Sequence, residues 1–168
     1  PIAMPDGSVI LVEIERGTLT RCNPDGTTEV IAETGGGPNG AAIGPDGRCY
    51  ICNNGGFKWH YAEDGGMRSI AQADNYQGGS IQAVDLKTGK VETLYTHCGE
   101  VQLRGPNDIV FDSQGGMYFT DLGKTRERDW DRTGIYYAKA DGSYITEVAY
   151  PMITPNGTSL SPDEKTLY

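Results

Sequence analysis

Three asparagines, Asn39, Asn107 and Asn156, each follow a proline and each lead into a short apolar run. Each run reaches a tyrosine at nearly the same distance: Tyr50 and Tyr118 stand 11 positions on, Tyr168 stands 12. The paths between pass through Pro45-Asp46-Gly47, Asp112-Ser113-Gln114-Gly115 and Pro162-Asp163-Glu164, all of them turn sequences. A side-chain amide offers a neutral, hard oxygen, the kind of donor that calcium collects in six- to eightfold coordination. Asp108, directly after Asn107, adds a carboxylate. Brought to one point, these groups would form an oxygen-rich cation site. Singly, each asparagine is also ordinary turn chemistry, because Asn tolerates left-handed backbone and bonds its own chain. Recurrence at fixed spacing separates the two readings for Asn107 and Asn156, and less so for Asn39. Asn156-Gly157-Thr158 also has the form of a glycosylation sequon.

Side chains this far apart converge only in a repeat fold, and the sequence has the marks of one. Glycine supplies 24 of 168 residues and proline nine, which suits short strands joined by tight turns. No window carries a sustained helical apolar period. Four units follow one another at residues 1–34, 37–98, 105–150 and 154–168, the last stopping inside its second strand. The predicted strands of the second unit are Ala41–Ile43, Arg48–Asn53, Ile81–Leu86 and Val91–Tyr95. Those of the third are Ile109–Phe111, Met117–Thr120, Ile135–Ala138 and Ile145–Ala149. Val9 to Ile14, apolar on both faces, is expected to be covered on both sides. A long polar segment, Gly55 to Gly79, reads as a structureless connection, and Gly123 to Arg132 fills the corresponding slot in the third unit. Four-stranded units of this length predict an all-β chain, a β-propeller of antiparallel blades. An open β-sandwich would not require the same Pro-Asn start in every unit. The chain opens inside a motif and ends within a strand pattern, so about three and a half blades of a longer protein are expected, and the beginning carries no information on compartment.

The net charge of −9 argues against nucleic acid, whose phosphates need a basic surface. No apolar run approaches the ~20 residues of a membrane-spanning helix. Cys49 and Cys52 have C-x-x-C spacing but fall in a strand, where positions i and i+3 face opposite sides and cannot share zinc. Cys22 and Cys98 read as further free thiols, and His60 and His97 stand isolated.

GPNDIVFDSQGGMYFTD (105–121) and TPNGTSLSPDEKTLY (154–168) resemble the third and fourth blades of the SMP-30/gluconolactonase/LRE-like family, and Pro1 to Gly7 resembles the end of that family's opening motif. The resemblance implies a six-bladed propeller with one divalent cation at the mouth of its channel, usually calcium and sometimes zinc. It implies hydrolysis of small-molecule lactones, with sugar lactones the expected class. By position, Asn156 corresponds to a metal ligand, Asn107 to a residue that binds metal or substrate, and Asp108 to a carboxylate that assists hydrolysis. Asn39 and Arg104 are candidates for substrate binding, although Arg104 stands three before Asn107 where related chains carry an arginine two before. Asp121 reads as a strand-end acid. The family's metal-binding Glu and Asp would lie beyond Pro1 and Tyr168, so residues 1–168 alone are expected to lack efficient turnover. A propeller that binds a sugar acid or a protein without turnover is the alternative.

Overall fold

The computed structural model describes residues 1–168, and every regular element in it is a strand. β1 (Ile2–Ala3), β2 (Val9–Glu13), β3 (Thr18–Cys22) and β4 (Thr28–Glu33) form one antiparallel meander. β5 (Pro38–Ile43) and β6 (Cys49–Asn53) begin the second sheet. A separate two-stranded ribbon, β7 (Phe57–Tyr61) and β8 (Met67–Gln72), precedes β9 (Ser80–Val84) and β10 (Val91–Tyr95), which complete that sheet in the order 10-9-6-5. A short pair, β11 (His97–Cys98) and β12 (Val101–Gln102), leads to the third sheet, β13 (Pro106–Phe111), β14 (Gly116–Asp121), β15 (Thr133–Lys139) and β16 (Ile145–Met152). Beyond it, Leu160 and Leu167 bridge, and Ser159 and Tyr168 exchange backbone hydrogen bonds. This is a run of propeller blades.

The turns repeat one device. An aspartate accepts the backbone N–H two residues on, as in Asp6–Ser8, Asp25–Thr27, Asp46–Arg48, Asp112–Gln114, Asp141–Ser143 and Asp163–Lys165. Such Asx turns reverse the chain in few residues, which is why the hairpins are tight. The same bonds hold the carboxyls of Asp6, Asp25 and Asp141 below their ordinary range, with the hydroxyls of Ser8, Thr27 and Ser143 the first cause.

The core lies between sheets. Ile10, Leu19, Cys49, Ile51 and Val84 pack the first sheet on the second. Tyr50, Cys52, Ile81, Phe119 and Tyr136 belong to the cluster that packs the second on the third. Thus β6 is buried along its whole length, with alternate residues feeding opposite clusters. Cys49 and Cys52 fall on opposite faces, as their spacing predicts, and all four cysteines are free.

Three expectations are corrected. β6, not β2, is the strand covered on both faces: in β2 only Ile10 is fully buried, because the first sheet packs a neighbour on one face within this chain. The segment 55–79 is not structureless. Phe57, Trp59 and Tyr61 alternate with Lys58 and His60, and that period-two pattern forms the ribbon β7–β8. Finally, β5 and β13 begin three residues earlier than expected, at Pro38 and Pro106. These prolines pair with Asn53 and Asp121, and the register slips before Ala41 and Ile109. A proline fits the first position of a strand. Asn39 and Asn107 therefore sit in irregular strand starts rather than in free turns.

Candidate functional site

β5 and β13 start at the end of their sheets where β6 and β14 finish, so one end of the molecule gathers Asn39, Asn107 and both long connections. The two sheets meet closely there. A Cβ on Gly40 would lie 2.3 Å from the carbonyl oxygen of Asn107, so only glycine lets β13 approach this part of β5. Asn39, half-buried, is thereby set beside the start of β13.

A chain of hydrogen bonds carries the cluster onward to Asn156. The Asp108 N–H donates to Thr120 Oγ1 at 3.1 Å, and that hydroxyl donates to the Asn156 carbonyl at 2.5 Å. The Thr158 N–H donates to Asp108 Oδ2 at 2.9 Å. Residues 107–108 and 156–158, separated by some fifty positions, are thus tied twice. Asn107 is buried, Asp108 half-buried and Asn156 exposed. Asp108 is held by one carboxylate oxygen, leaving Oδ1 without a partner in the protein. Thr158, whose N–H binds that carboxylate, has its Oγ1 buried with no hydrogen-bond partner.

The position of Asn107 depends on Asp121, which is fully buried. Its Oδ1 accepts from Gly105 N at 2.7 Å and Gly123 N at 2.9 Å, and its Oδ2 accepts from Arg104 N at 2.7 Å. Burial pushes this carboxyl up from its ordinary value, while the three N–H donors pull the other way. Asp121 is therefore more than a strand-end acid: it fastens the turn that presents Asn107. The sequence carries a signal for it, because Asn53 stands 14 residues after Asn39, as Asp121 does after Asn107. Asn53 Oδ1 likewise accepts from Gly37 N and Gly55 N. Thr120 and Thr158 have no comparable signal.

The guanidinium of Arg104 is exposed and donates to Gln102 Oε1 at 3.1 Å, so what this residue brings to the cluster is its backbone. A cleft of about 570 Å³ between the ribbon and residues 122–127 shares no lining residue with the asparagines.

The candidate donors at this end are the side-chain amides of Asn39, Asn107 and Asn156 and the free oxygen of Asp108; the bonds that join residues 108 and 156–158 run through backbone groups, Thr120 Oγ1 and the Asp108 carboxylate, not through the asparagine amides. No three His, Cys, Asp or Glu side chains cluster anywhere in the chain. An all-oxygen, mostly neutral set suits a hard divalent cation better than a thiophilic one.

A family model described as SMP-30/Gluconolactonase/LRE-like region matches residues 1–168. The chain is 31% identical over 170 residues to Lactonase drp35 of Staphylococcus aureus (strain bovine RF122 / ET3-1), an alignment that covers 96% of this chain and 44% of that protein. The chain thus spans less than half the length of this relative. Among solved structures, the gluconolactonase XC5397 of Xanthomonas campestris superposes with a TM-score of 0.72 at 22% identity, over 97% of this chain and 50% of the other. Virginiamycin B lyase of Staphylococcus aureus superposes at 0.65 with 17% identity, over 97% and 45%. At such identities the likeness is one of fold.

Proposed function

This chain belongs to the SMP-30/gluconolactonase/LRE-like family, and from that premise we propose that the protein it represents is a divalent-metal-dependent lactonase. The observation that carries the reading is the double tie between blades, Asp108 to Thr158 N and Thr120 to the Asn156 carbonyl. It joins the Asp108 carboxylate and the backbone of residues 156–158 across two blades, which supports a shared site for Asn107 and Asn156. Asn107 and Asn156 would hold the cation, with calcium favoured by the oxygen donors and zinc the alternative. When bound, the ion supplies Lewis-acid polarisation of the lactone carbonyl.

The remaining work falls to the chain. Asp108, anchored through Oδ2, keeps Oδ1 free to accept a proton from water or hold it for the leaving alkoxide. Asn39 would orient the ring oxygens of a sugar lactone, while Arg104 serves through its backbone N–H on Asp121. Asp121 keeps the turn before Asn107 rigid, so that the amide is organised before substrate arrives. Neutral ligands leave the ion more electrophilic than a cage of carboxylates would.

The test is gluconolactone hydrolysis by the full-length protein, with chelator and with calcium or zinc restored. Activity that falls at least ~100-fold on chelation and returns with calcium supports the reading. Asn156→Ala should then lose both the activity and the rise in Tm that calcium gives. Turnover indifferent to chelator would remove the metal. A calcium-dependent rise in Tm without turnover of any lactone would leave a binding propeller instead.

A further inference from the structure

The ribbon β7–β8 lies across the site end of all three sheets and is fastened at both extremities. At its tip, the Tyr61 hydroxyl donates to Glu15, in the turn between β2 and β3, at 2.5 Å. At its root stands Lys124, from the loop after β14. The Lys124 ammonium donates to the Gly56 carbonyl at 2.9 Å and to Asn54 Oδ1 at 3.3 Å. It also lies 4.1 Å from the centroid of the Phe57 ring and 5.1 Å from that of Tyr76. Lys124 is 3% exposed. Its hydrogen-bond acceptors are neutral, so a full positive charge is buried without an ion pair. Beside it, the Asn54 side-chain nitrogen is buried with no partner at all.

We propose that the ribbon is a proton-coupled strap: its lifting uncovers the Lys124 ammonium to water, and loss of that proton to solvent holds it shut. A buried ammonium gives up most of its hydration, and two neutral oxygens with two ring faces replace only part of it. A buried neutral amine has no such penalty. Closing the strap thus favours the deprotonated amine, and opening favours the ammonium.

The charged groups around Lys124 set the window. Asp121 at the end of β14 and Asp131 in the same loop as Lys124 favour its proton, but desolvation outweighs them and pushes the amine down to about 8. Tyr76 is pushed up to about 12 by its own burial and stays neutral below that. Arg126, paired with Asp129 and Asp131, stays cationic throughout. Glu15 raises Tyr61 at the tip, so that fastening does not titrate near neutrality. With the closed amine near 8 and the open amine near its ordinary 10.5, the closed strap binds fewer protons than the open one between these values. Opening must therefore become rarer as pH rises, by about tenfold between pH 7 and pH 9.

Millisecond-resolved hydrogen exchange reads this directly, because a lone two-stranded ribbon is marginal in water and loses protection once it lifts. With intrinsic exchange rates divided out, protection of the β7 and β8 amides should rise about tenfold from pH 7 to pH 9, while that of β13–β14 stays level. Lys124→Met should abolish the rise, since no charge remains to be buried. Lys124→Arg, whose charge persists, should leave the ribbon poorly protected at both pH values. A flat or falling profile in the unmodified protein overturns the proposal, and this does not depend on either variant folding. An undiminished rise in Lys124→Met overturns it as well.

Discussion

The second and third blades use one anchor in two chemical forms, an amide at Asn53 and a carboxyl at Asp121. Asn53 and Asp121 each end the second strand of a sheet, and each takes two glycine N–H groups on Oδ1, Gly37 and Gly55 in one blade, Gly105 and Gly123 in the other. They differ at the other atom. Asn53 Nδ2 donates to the Gly35 carbonyl and to Gln82 Oε1, whereas Asp121 Oδ2 accepts from Arg104 N. The bonds to Asp121 run 2.7–2.9 Å and those from N–H groups to Asn53 2.9–3.0 Å. The same contrast recurs at the strand starts. After Asn39 comes Gly40, which clears space for the neighbouring blade; after Asn107 comes Asp108, which reaches across to Thr158. The second blade is built as a neutral spacer, and the third concentrates carboxylates at the proposed site. A fold that repeats its backbone can thus specialise one blade by two acids, with little change in the hydrogen-bond frame.

The largest expected effect follows from removing the charged anchor. Asp121→Ala strands two buried N–H groups and the part-buried one of Arg104, and we expect a loss of about 3–5 kcal/mol in urea denaturation. Asn53→Ala should cost less, about 2–3 kcal/mol, because the amide it removes is a neutral acceptor and fewer N–H groups lose their partner. Equal losses would mean that charge adds nothing to the anchor. Next comes Gly40→Ala, which drives a Cβ into the Asn107 carbonyl and must prise β5 from β13. We expect about 1–3 kcal/mol and a lower Tm. A variant as stable as the parent would show that the blades do not need this close approach.

The anchor pair also shows how far the sequence can be read. Sheet membership is legible because Asp-containing turns punctuate the chain at most reversals. Asn39, Asn107 and Asn156 are legible as a set because they recur, and the structure ties Asp108, the neighbour of Asn107, to residues 156 and 158 through Thr120 and Thr158. Those two threonines are not legible, since their partners lie thirty-six and fifty positions away. Asp121 was within reach, through its shared spacing with Asn53, but a strand-end acid is so common that a single copy carries no weight. The ribbon β7–β8 was within reach too: its aromatics alternate, and the surrounding polarity masks the period. Lys124 is the opposite case. Nothing near it in sequence distinguishes it from an exposed loop lysine, and it is buried only because Phe57 and Tyr76 of another blade close over it.

A smaller effect should follow from giving the neutral anchor the charge of the other. Asn53→Asp points a carboxylate oxygen at Gly35 O and Gln82 Oε1, both acceptors, so we expect about 2 kcal/mol of destabilisation at neutral pH. The sign with pH is fixed. Burial among acceptors raises the folded-state value of the introduced carboxyl above its unfolded one, so the penalty should shrink as pH falls toward 5. A penalty that grows on acidification would mean that the frame has rearranged to supply donors, and the two anchors would then be interchangeable.

The smallest effect on stability is expected at Asp108, and that smallness is what gives the variant its value. Asp108→Asn keeps an oxygen for the Thr158 N–H and removes only the charge from a half-buried group, so stability should change by less than about 0.5 kcal/mol. If Asp108 moves a proton in lactone hydrolysis, the same change in the full-length protein should lower kcat by about 100-fold or more while the fold is untouched. A large stability loss with activity scaling in step would make Asp108 a pin between blades and nothing more. Asp121→Ala and Asp108→Asn therefore separate the two acids of the third blade, one holding the frame and the other working within it.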